Sequence, residues 1–527
     1  MPDHQRLMLP AELRRRWRAG EDVALIDTRE EGPYSLSHPF FAVSLPLSQI
    51  ELRILDLIPR LTAPIVVYDD GEGTAARAVP RIAALGYTDV SILAGGLAFY
   101  ARVGEVFRDV NVPSKAFGEL VEAIRHTPSL PADEAKRLIE TESNLVVLDA
   151  RRFEEYRTMS IPRGISVPGG ELAFRAREIA PSADTTIIVN CAGRTRSIIG
   201  TQSLINAGLP NRIFALRNGT IGWTLAGHQV ERGRTERFLA RPQASHAAAL
   251  NDAKAWAARA GVASLDRAAY DRIVTEADQR TLYRFDVRTP EEFAAGHPAG
   301  FVSAPGGQLV QALDEWVAVR GARLVLFDDD GVRARMTASW LVQMGWDAAV
   351  IGPDVVEATE SGVRAARRPP PPDIGAVAIG LDELAGNPAA WTIVDLTRSP
   401  AYKAGHIPAA HFVLASRFAA DLPLLPGDGG IVLTSEDGAE ALFALADAQA
   451  ATRREVRVLS GGTSGWTAAG RALETDRHSW ISEPDDVYKR PYEGTDNAAG
   501  AMQAYIDWEL QLVAQLANDS VSNFHVV

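Results

Sequence analysis

One side chain here has the chemistry of a strong nucleophile: Cys191, the single cysteine among 527 residues. It lies in TIIVNCAGRTRSIIG, where an apolar strand ends at Asn190 and a loop follows, Cys191-Ala192-Gly193-Arg194-Thr195-Arg196. A helix is expected from about Ser197. A lone cysteine is most often an inert buried side chain, so its neighbours must decide. The C-terminal end of a parallel strand, just before a helix, is where open α/β sheets bind ligands. The first turn of a helix leaves backbone N–H groups unpaired, and these stabilise an anion. Helix N-termini and nearby cations lower a thiol pKa from ~8.5 to about 3.5–7.5, and Arg194 and Arg196 are such cations. Gly193 lets the loop curl so that several N–H groups point inward. The expectation is an activated thiolate in a cradle that would hold a persulfide anion equally well.

The elements that position this loop recur four times. An apolar strand ending in Asp appears as ALIDTREE (Asp27), LVVLDARRFEEY (Asp149), LYRFDVRTPEEF (Asp286) and TIVDLTRSPAY (Asp395). Eleven residues after three of these aspartates comes a histidine turn, at His38, His297 and His406; the second copy has Ser160-Ile161-Pro162 instead. A second strand then leads to the loop position, 42 residues after the aspartate at Asp69, Cys191 and Asp328, and 40 residues after it at Ser435. Seventeen residues beyond the first three lie Gly86, Gly208 and Gly345, which read as helix-stopping glycines. A glycine turn closes three copies, in ILAGGLAFY, FALRNGTIGW and VLSGGTSGW; the third copy has lost it. Four ordered markers in register identify an internal repeat.

Strands that alternate with helices and are apolar without interruption indicate α/β units, each a parallel sheet flanked by helices on both faces. About a hundred residues per unit suffices for a core. The expected domains are 1–110, 128–235 (with Cys191), 255–362 and 375–475, followed by a C-terminal helical tail, 476–527. Linkers are expected at Asn111-Val112-Pro113 with His126-Thr127-Pro128, at Glu231 to Asn251, and at the proline run Pro369 to Pro372, an extended spacer. In the tail, EPDDVYKRPYEGTDN reads as irregular and AGAMQAYIDWELQLVAQLAND as one amphipathic helix. That helix is expected to pack on the repeats or on a second subunit, as a homodimer contact, without a catalytic role.

The composition fits a folded soluble protein, with 46% hydrophobic and 23% charged residues. A net charge of -13 gives no global attraction to nucleic acid or to anionic lipid. No stretch approaches the ~20 apolar residues of a membrane span, and the opening MPDHQRLMLPAELRRRW lacks the apolar run of a secretory signal. A cytoplasmic setting is therefore expected. One cysteine excludes intrachain disulfides and multi-cysteine metal sites, so no metal or other cofactor is expected.

The chain resembles the rhodanese superfamily of sulfurtransferases, and within it the members with four rhodanese-homology repeats. The residues that carry the resemblance are Asp27-Thr28-Arg29, Asp149-Ala150-Arg151 and Asp286-Val287-Arg288, the histidine turns, the C-A-G-R-T-R loop and the glycine turns. The resemblance implies a two-stage transfer. Cys191 takes a sulfane sulfur from a small anionic donor such as thiosulfate, becomes a persulfide, and passes it to cyanide or a thiol. Ala192, Gly193 and Thr195 would help cradle the persulfide, with Arg194 and Arg196 orienting the donor. Asp149 is expected to fix the loop, while Arg151 either pairs with it or faces the pocket. The single histidines and Trp223 read as structural, and VPGGEL (Gly169, Gly170, Glu171), echoed by APGGQL, reads as a shared turn. Asp69, Asp328 and Ser435 carry no persulfide, so the other three repeats read as scaffold. Two alternatives stand beside the enzyme. One is a binding scaffold; the other is a dual-specificity phosphatase of related fold, whose loop needs an arginine six positions after the cysteine, where this chain has Ser197.

Overall fold

The computed structural model describes residues 6–238, 244–373 and 375–527. In the second repeat the strand Thr186–Asn190 sends Ile187 and Val189 to one face of its sheet and Ile188 to the other, and all three are fully buried. Successive strand residues point to opposite faces, so a strand apolar throughout must be covered on both sides. Leu172 and Phe174 of helix Leu172–Ile179 and Leu204 of helix Thr195–Asn206 cover the first face. Leu138 and Ile139 of helix Ala132–Thr141, with Trp223 of helix Gly219–Leu225, cover the second. Each such buried aliphatic side chain contributes roughly 1.5–3 kcal/mol.

The strand order in this repeat is Gly164–Ser166, Leu145–Asp149, Thr186–Asn190, Arg212–Leu216, Ser129–Leu130, all parallel. The third repeat has the same order: Val302–Ser303, Leu282–Asp286, Arg323–Phe327, Asp347–Ile351, Ala263–Ser264. So does the first, with Ala42–Ser44, Val23–Asp27, Ile65–Tyr68, Val90–Leu93 and Leu7–Met8. In the fourth, Ser479–Trp480 extends the series beyond His411–Phe412. Asn190 pairs in register with Asp149, so both strands end together and Cys191 is the first residue past that edge.

The chain forms two compact units. One holds the first and fourth repeats, residues up to 10, 24–110 and 366–488; the other holds the second and third repeats with the tail, residues 11–23, 111–365 and 489–527. Within the latter, the VPGGEL and APGGQL turns press on each other. A Cβ on Gly170 would lie 2.7 Å from the Gly307 nitrogen, so the echoed motif is a structural contact between repeats two and three.

The histidine turns are also structural. His38, His297 and His406 are buried and stack on the aromatic ring four residues earlier, Tyr34, Phe293 or Tyr402, at centroid distances of 4.1, 3.7 and 4.1 Å. Tyr156 holds the corresponding place in the second repeat and donates to the Gly164 carbonyl at 2.8 Å.

Three expectations are corrected. Val112 and Pro113, read as linker, instead open a 14-residue helix, Val112–Arg125, with Pro113 in its first turn, where its missing N–H costs nothing, while His126-Thr127-Pro128 do connect that helix to the next strand. The stretch from Glu231 is helical from His246 to Arg259; residues 239–243 of it lie outside the described residues. The tail forms two helices, Ala499–Glu509 and Leu512–Asp519. At Gln511 the backbone bonds back to Trp508, a tightened turn that ends the first helix. The break sets Leu512 and Leu516 into the interior. Met502, Tyr505, Ile506 and Trp508 are buried too, so the face that suggested a homodimer is covered within the chain. Pro369 to Pro372 form neither helix nor strand. Among the described residues no helix is long and apolar enough to cross a membrane.

Candidate active site

The helix after Cys191 begins at Thr195, two residues earlier than expected, and the Ser197 N–H of its first turn is turned to the thiol. Cys191 is 1% exposed. Its Sγ lies 3.4 Å from Ser197 Oγ, and the backbone N–H of Ser197 also favours its charged form. Ser197 Oγ in turn donates to the Arg194 carbonyl at 2.9 Å, which fixes the loop's curl. From the far side, Thr220 donates to the Cys191 carbonyl (N 2.8 Å, Oγ1 3.0 Å) and the Ile221 N–H to that of Ala192 (2.9 Å). Gly219 sits directly on this backbone at φ +54°, and a Cβ there would lie 2.4 Å from the Cys191 oxygen. Only glycine fits both that conformation and that approach.

The other repeats show what the cradle is built to hold. In each, the N–H six residues past the loop position donates to the side chain at that position: Ala75 to Asp69 at 2.9 Å, Ala334 to Asp328 at 2.8 Å, Ala441 to Ser435 at 3.3 Å. Ser197 is the equivalent donor to Cys191. Two of the four loops therefore enclose a covalently attached carboxyl group where the second has sulfur.

Asp149 and Arg151 are both buried and pair with each other, Nε to Oδ1 at 2.9 Å and Nη2 to Oδ2 at 2.7 Å. Arg151 also caps the Met159 carbonyl at 2.6 Å, and Asn190 donates to Asp149 at 2.8 Å. The pair braces the strand ends under the loop, and Arg151 does not face the pocket. Asp27–Arg29 and Asp286–Arg288 repeat it.

Neither arginine of the loop is a free cation. Arg194 makes a bidentate pair with Glu119 at 2.7 and 2.8 Å, reaches Asn218 at 2.9 Å and also meets Glu122. Arg196 is bidentate to Glu155 at 2.7 and 2.8 Å. Buried guanidinium groups require such partners. Although burial opposes its charge, Arg196 holds the Glu155 carboxyl far below the usual carboxylate range. Burial also reverses the expected thiol shift. It pushes the Cys191 thiol above its ordinary value, against the pull of Arg196 and Ser197, and Glu509 adds to the rise. Thr195 is buried against Gly118, whose Cβ would lie 2.8 Å from its methyl.

Sequence reasoning missed two contributors. The helix Val112–Arg125 brings Glu119 and Glu122 to Arg194, across about 75 residues of chain that no local pattern spans. Its own signals, Pro113 early and apolar Ala116, Phe117 and Val121, were legible. The tail, expected to pack on the repeats or on a second subunit, brings Tyr505 and Glu509 onto Gly193 and so lines the site. Trp223 is core, 1% exposed, and donates to the Gln229 carbonyl.

The Rhodanese-like domain family matches residues 9–102, 131–226, 270–352 and 380–469. The crystal structure of a thiosulfate sulfurtransferase from Pseudomonas aeruginosa is 51% identical and superposes with a TM-score of 0.96, covering 99% of this chain and 100% of that one. A putative sulfur carrier protein of Bacillus subtilis (strain 168), YrkF, is 27% identical over 97 residues, which is 18% of this chain and 51% of that protein. The chain thus spans about half the length of that curated relative. With four matched domains and a full-length structural counterpart, this chain belongs to the rhodanese family.

Proposed function

We propose that the protein is a thiosulfate sulfurtransferase in which Cys191 carries the sulfur. The observation that carries the reading is the full-length likeness to the Pseudomonas aeruginosa enzyme. The cradle around the chain's one thiol is consistent with it.

In the first half-reaction the Cys191 thiolate attacks the outer sulfur of thiosulfate. A Cys191–sulfur bond forms, the S–S bond of the donor breaks, and sulfite leaves with the electron pair. The persulfide anion that remains takes its place over the Ser197 N–H, as the Asp328 carboxyl group does over that of Ala334. Cyanide or a thiolate then attacks the terminal sulfur, and Cys191 leaves again as thiolate. Covalent transfer of this kind divides one displacement into two easier ones.

With Arg194 and Arg196 bound by carboxylates, the N–H groups of the loop hold the anion. Arg196 contributes its field to the thiolate without releasing Glu155. The paired guanidinium groups also disfavour the phosphatase reading, since neither is open to grip a phosphate. The partners are small molecules: an anionic sulfur donor, and a thiol or cyanide as acceptor. A cytoplasmic setting, in which a lone thiol stays reduced, suits this chemistry.

Mass spectrometry of the intact protein after thiosulfate exposure tests the reading. Cys191 should gain one sulfur atom and lose it to cyanide, and Cys191→Ser should gain none. An unchanged mass in the wild type would overturn it.

A further inference from the structure

The tail ends its first helix at Glu509, beside the persulfide loop. A Cβ on Gly193 would lie 3.3 Å from Glu509 Oε2 and 3.2 Å from Tyr505 Cε1, so the carboxyl rests against the backbone of the loop. Glu509 is 1% exposed. Tyr505 donates to its Oε1 at 2.9 Å, while Oε2, the oxygen turned to the loop, has no hydrogen-bond partner. A buried carboxylate with an unsatisfied oxygen is costly, whereas a neutral carboxylic acid is much less so.

We propose that Glu509 is a specificity-determining residue of the transfer, and that its carboxyl must be neutral for an anionic sulfur donor to reach Cys191. The inference rests on the reading of Cys191 as the sulfur carrier. The geometry leads: the acid faces the cradle in which a persulfide anion must form, and a second negative charge there opposes both the anion and the thiolate. Burial, reinforced by the charge of Glu119, pushes Glu509 up to about 8, against the pull of Lys115, Tyr505 and Arg194. The groups that act on it come from the helix Val112–Arg125 (Lys115 and Glu119), from the loop (Arg194, with Cys191 beside it) and from its own helix (Tyr505). Arg194 is already bound by Glu119 and Glu122, so it offsets little of an ionised Glu509. The protein thus carries the neutral acid below about pH 8 and the repelling carboxylate above it.

Because the chain has one cysteine, alkylation reads the site directly. Rates with iodoacetate, an anion, and iodoacetamide, its neutral counterpart, are compared on the full-length protein across the range in which Glu509 titrates. Their ratio cancels the thiolate fraction. In the wild type the iodoacetate-to-iodoacetamide ratio should fall about tenfold as Glu509 ionises. In Glu509→Gln, which keeps the shape and the acceptor for Tyr505, the ratio should stay flat. In Tyr505→Phe, which removes the hydrogen bond favouring the charged form, the fall should move to higher pH.

A flat ratio in the wild type, an unchanged fall in Glu509→Gln, or failure of both reagents to reach Cys191 overturns the proposal. Tyr505→Phe decides the matter should Glu509→Gln not fold. The two readings fail separately. If thiosulfate adds no sulfur while the ratio behaves as stated, the donor assignment falls and the charge gate stands. If sulfur adds normally and the ratio is flat, the gate alone falls.

Discussion

The loops of the second and third repeats are built alike around different atoms. In both, the N–H six residues on points at the loop position, to Cys191 in one and Asp328 in the other. In both, the arginine five residues on is held by the glutamate six residues after the strand-end aspartate, Arg196 by Glu155 and Arg333 by Glu292. In both, that aspartate pairs with the arginine two residues later. The differences lie in the side chain at that position, in its cover, and in the glycine turn, which the third repeat lacks. Asp328 satisfies its cradle permanently, taking the N–H groups of Gly331 and Ala334 at 2.9 and 2.8 Å. Cys191 fills no such role with a carboxyl of its own, which on the proposed reading leaves the cradle to a transient anion, and the tail lies against Gly193 of its loop. The lesson is that the fold supplies a backbone donor to the loop position in every copy, so that on the proposed reading reactivity enters through the atom placed there.

The strongest test of that claim exchanges the atoms. Cys191→Ala should abolish transfer outright. Adding Asp328→Cys to that variant should restore sulfur uptake from thiosulfate at the third repeat. The rate should be reduced about 10–100-fold, because Asp330 beside the introduced thiol opposes its ionisation. Peptide mass mapping of the persulfide would locate it. Complete absence of uptake would show that the cradle is not equivalent and that the tail, or another element particular to the second repeat, is required.

A smaller but still severe effect should come from Gly219→Ala, at a turn of the second repeat that the third has lost. The methyl would meet the Cys191 and Gly193 oxygens at 2.4 and 2.7 Å, in a left-handed conformation. Backbone strain of this sort costs on the order of 1–3 kcal/mol. A displaced nucleophile loses about 100-fold in rate for a shift near 1 Å. Steady-state transfer should fall accordingly while the circular dichroism spectrum stays close to wild type. Unaltered transfer would mean that the turn does not set the position of the loop.

How much of this was legible follows from the range of the interactions. The repeat, the strand-end aspartates, the glycine turn and the lone cysteine were readable because each is a local pattern in register with copies of itself. Asp149 and Arg151 stand two residues apart, so their pairing was within reach, although the direction of Arg151 needed coordinates. The partners of Arg194 and Arg196 were not readable. A guanidinium near a thiol looks the same in sequence whether it is free or bound by Glu119 from another helix. The cover of the site was hidden for a related reason: Glu509 ends an ordinary amphipathic helix, with no glycine or proline to mark the turn that aims it at Gly193. The thiol shift was misjudged because cations in a sequence count as attraction, while burial appears only once the chain is packed.

The smallest predicted effect separates the two loops by pH. Burial, with the charge of Asp330 added, raises Asp328 well above the usual aspartate value. A group raised in the folded state stabilises most below its unfolded value, near 3.9 for Asp, and that contribution is lost as pH climbs toward the folded value. Cys191, also raised by burial, loses its contribution only in alkali, above the ordinary thiol range near 8.5. Thermal midpoints followed from acid to alkaline pH should therefore decline in both ranges, Asp328 contributing on the acid side together with Glu509 and the other raised carboxyls, and Cys191 in alkali. Each lost kcal/mol should appear as about 2–4 °C. Asp328→Asn should lessen the acid-side decline and leave the alkaline one, and Cys191→Ala should do the reverse. If both substitutions lessen the same decline, the loops do not titrate independently. Their likeness would then extend to a shared electrostatic environment in place of two separate cradles.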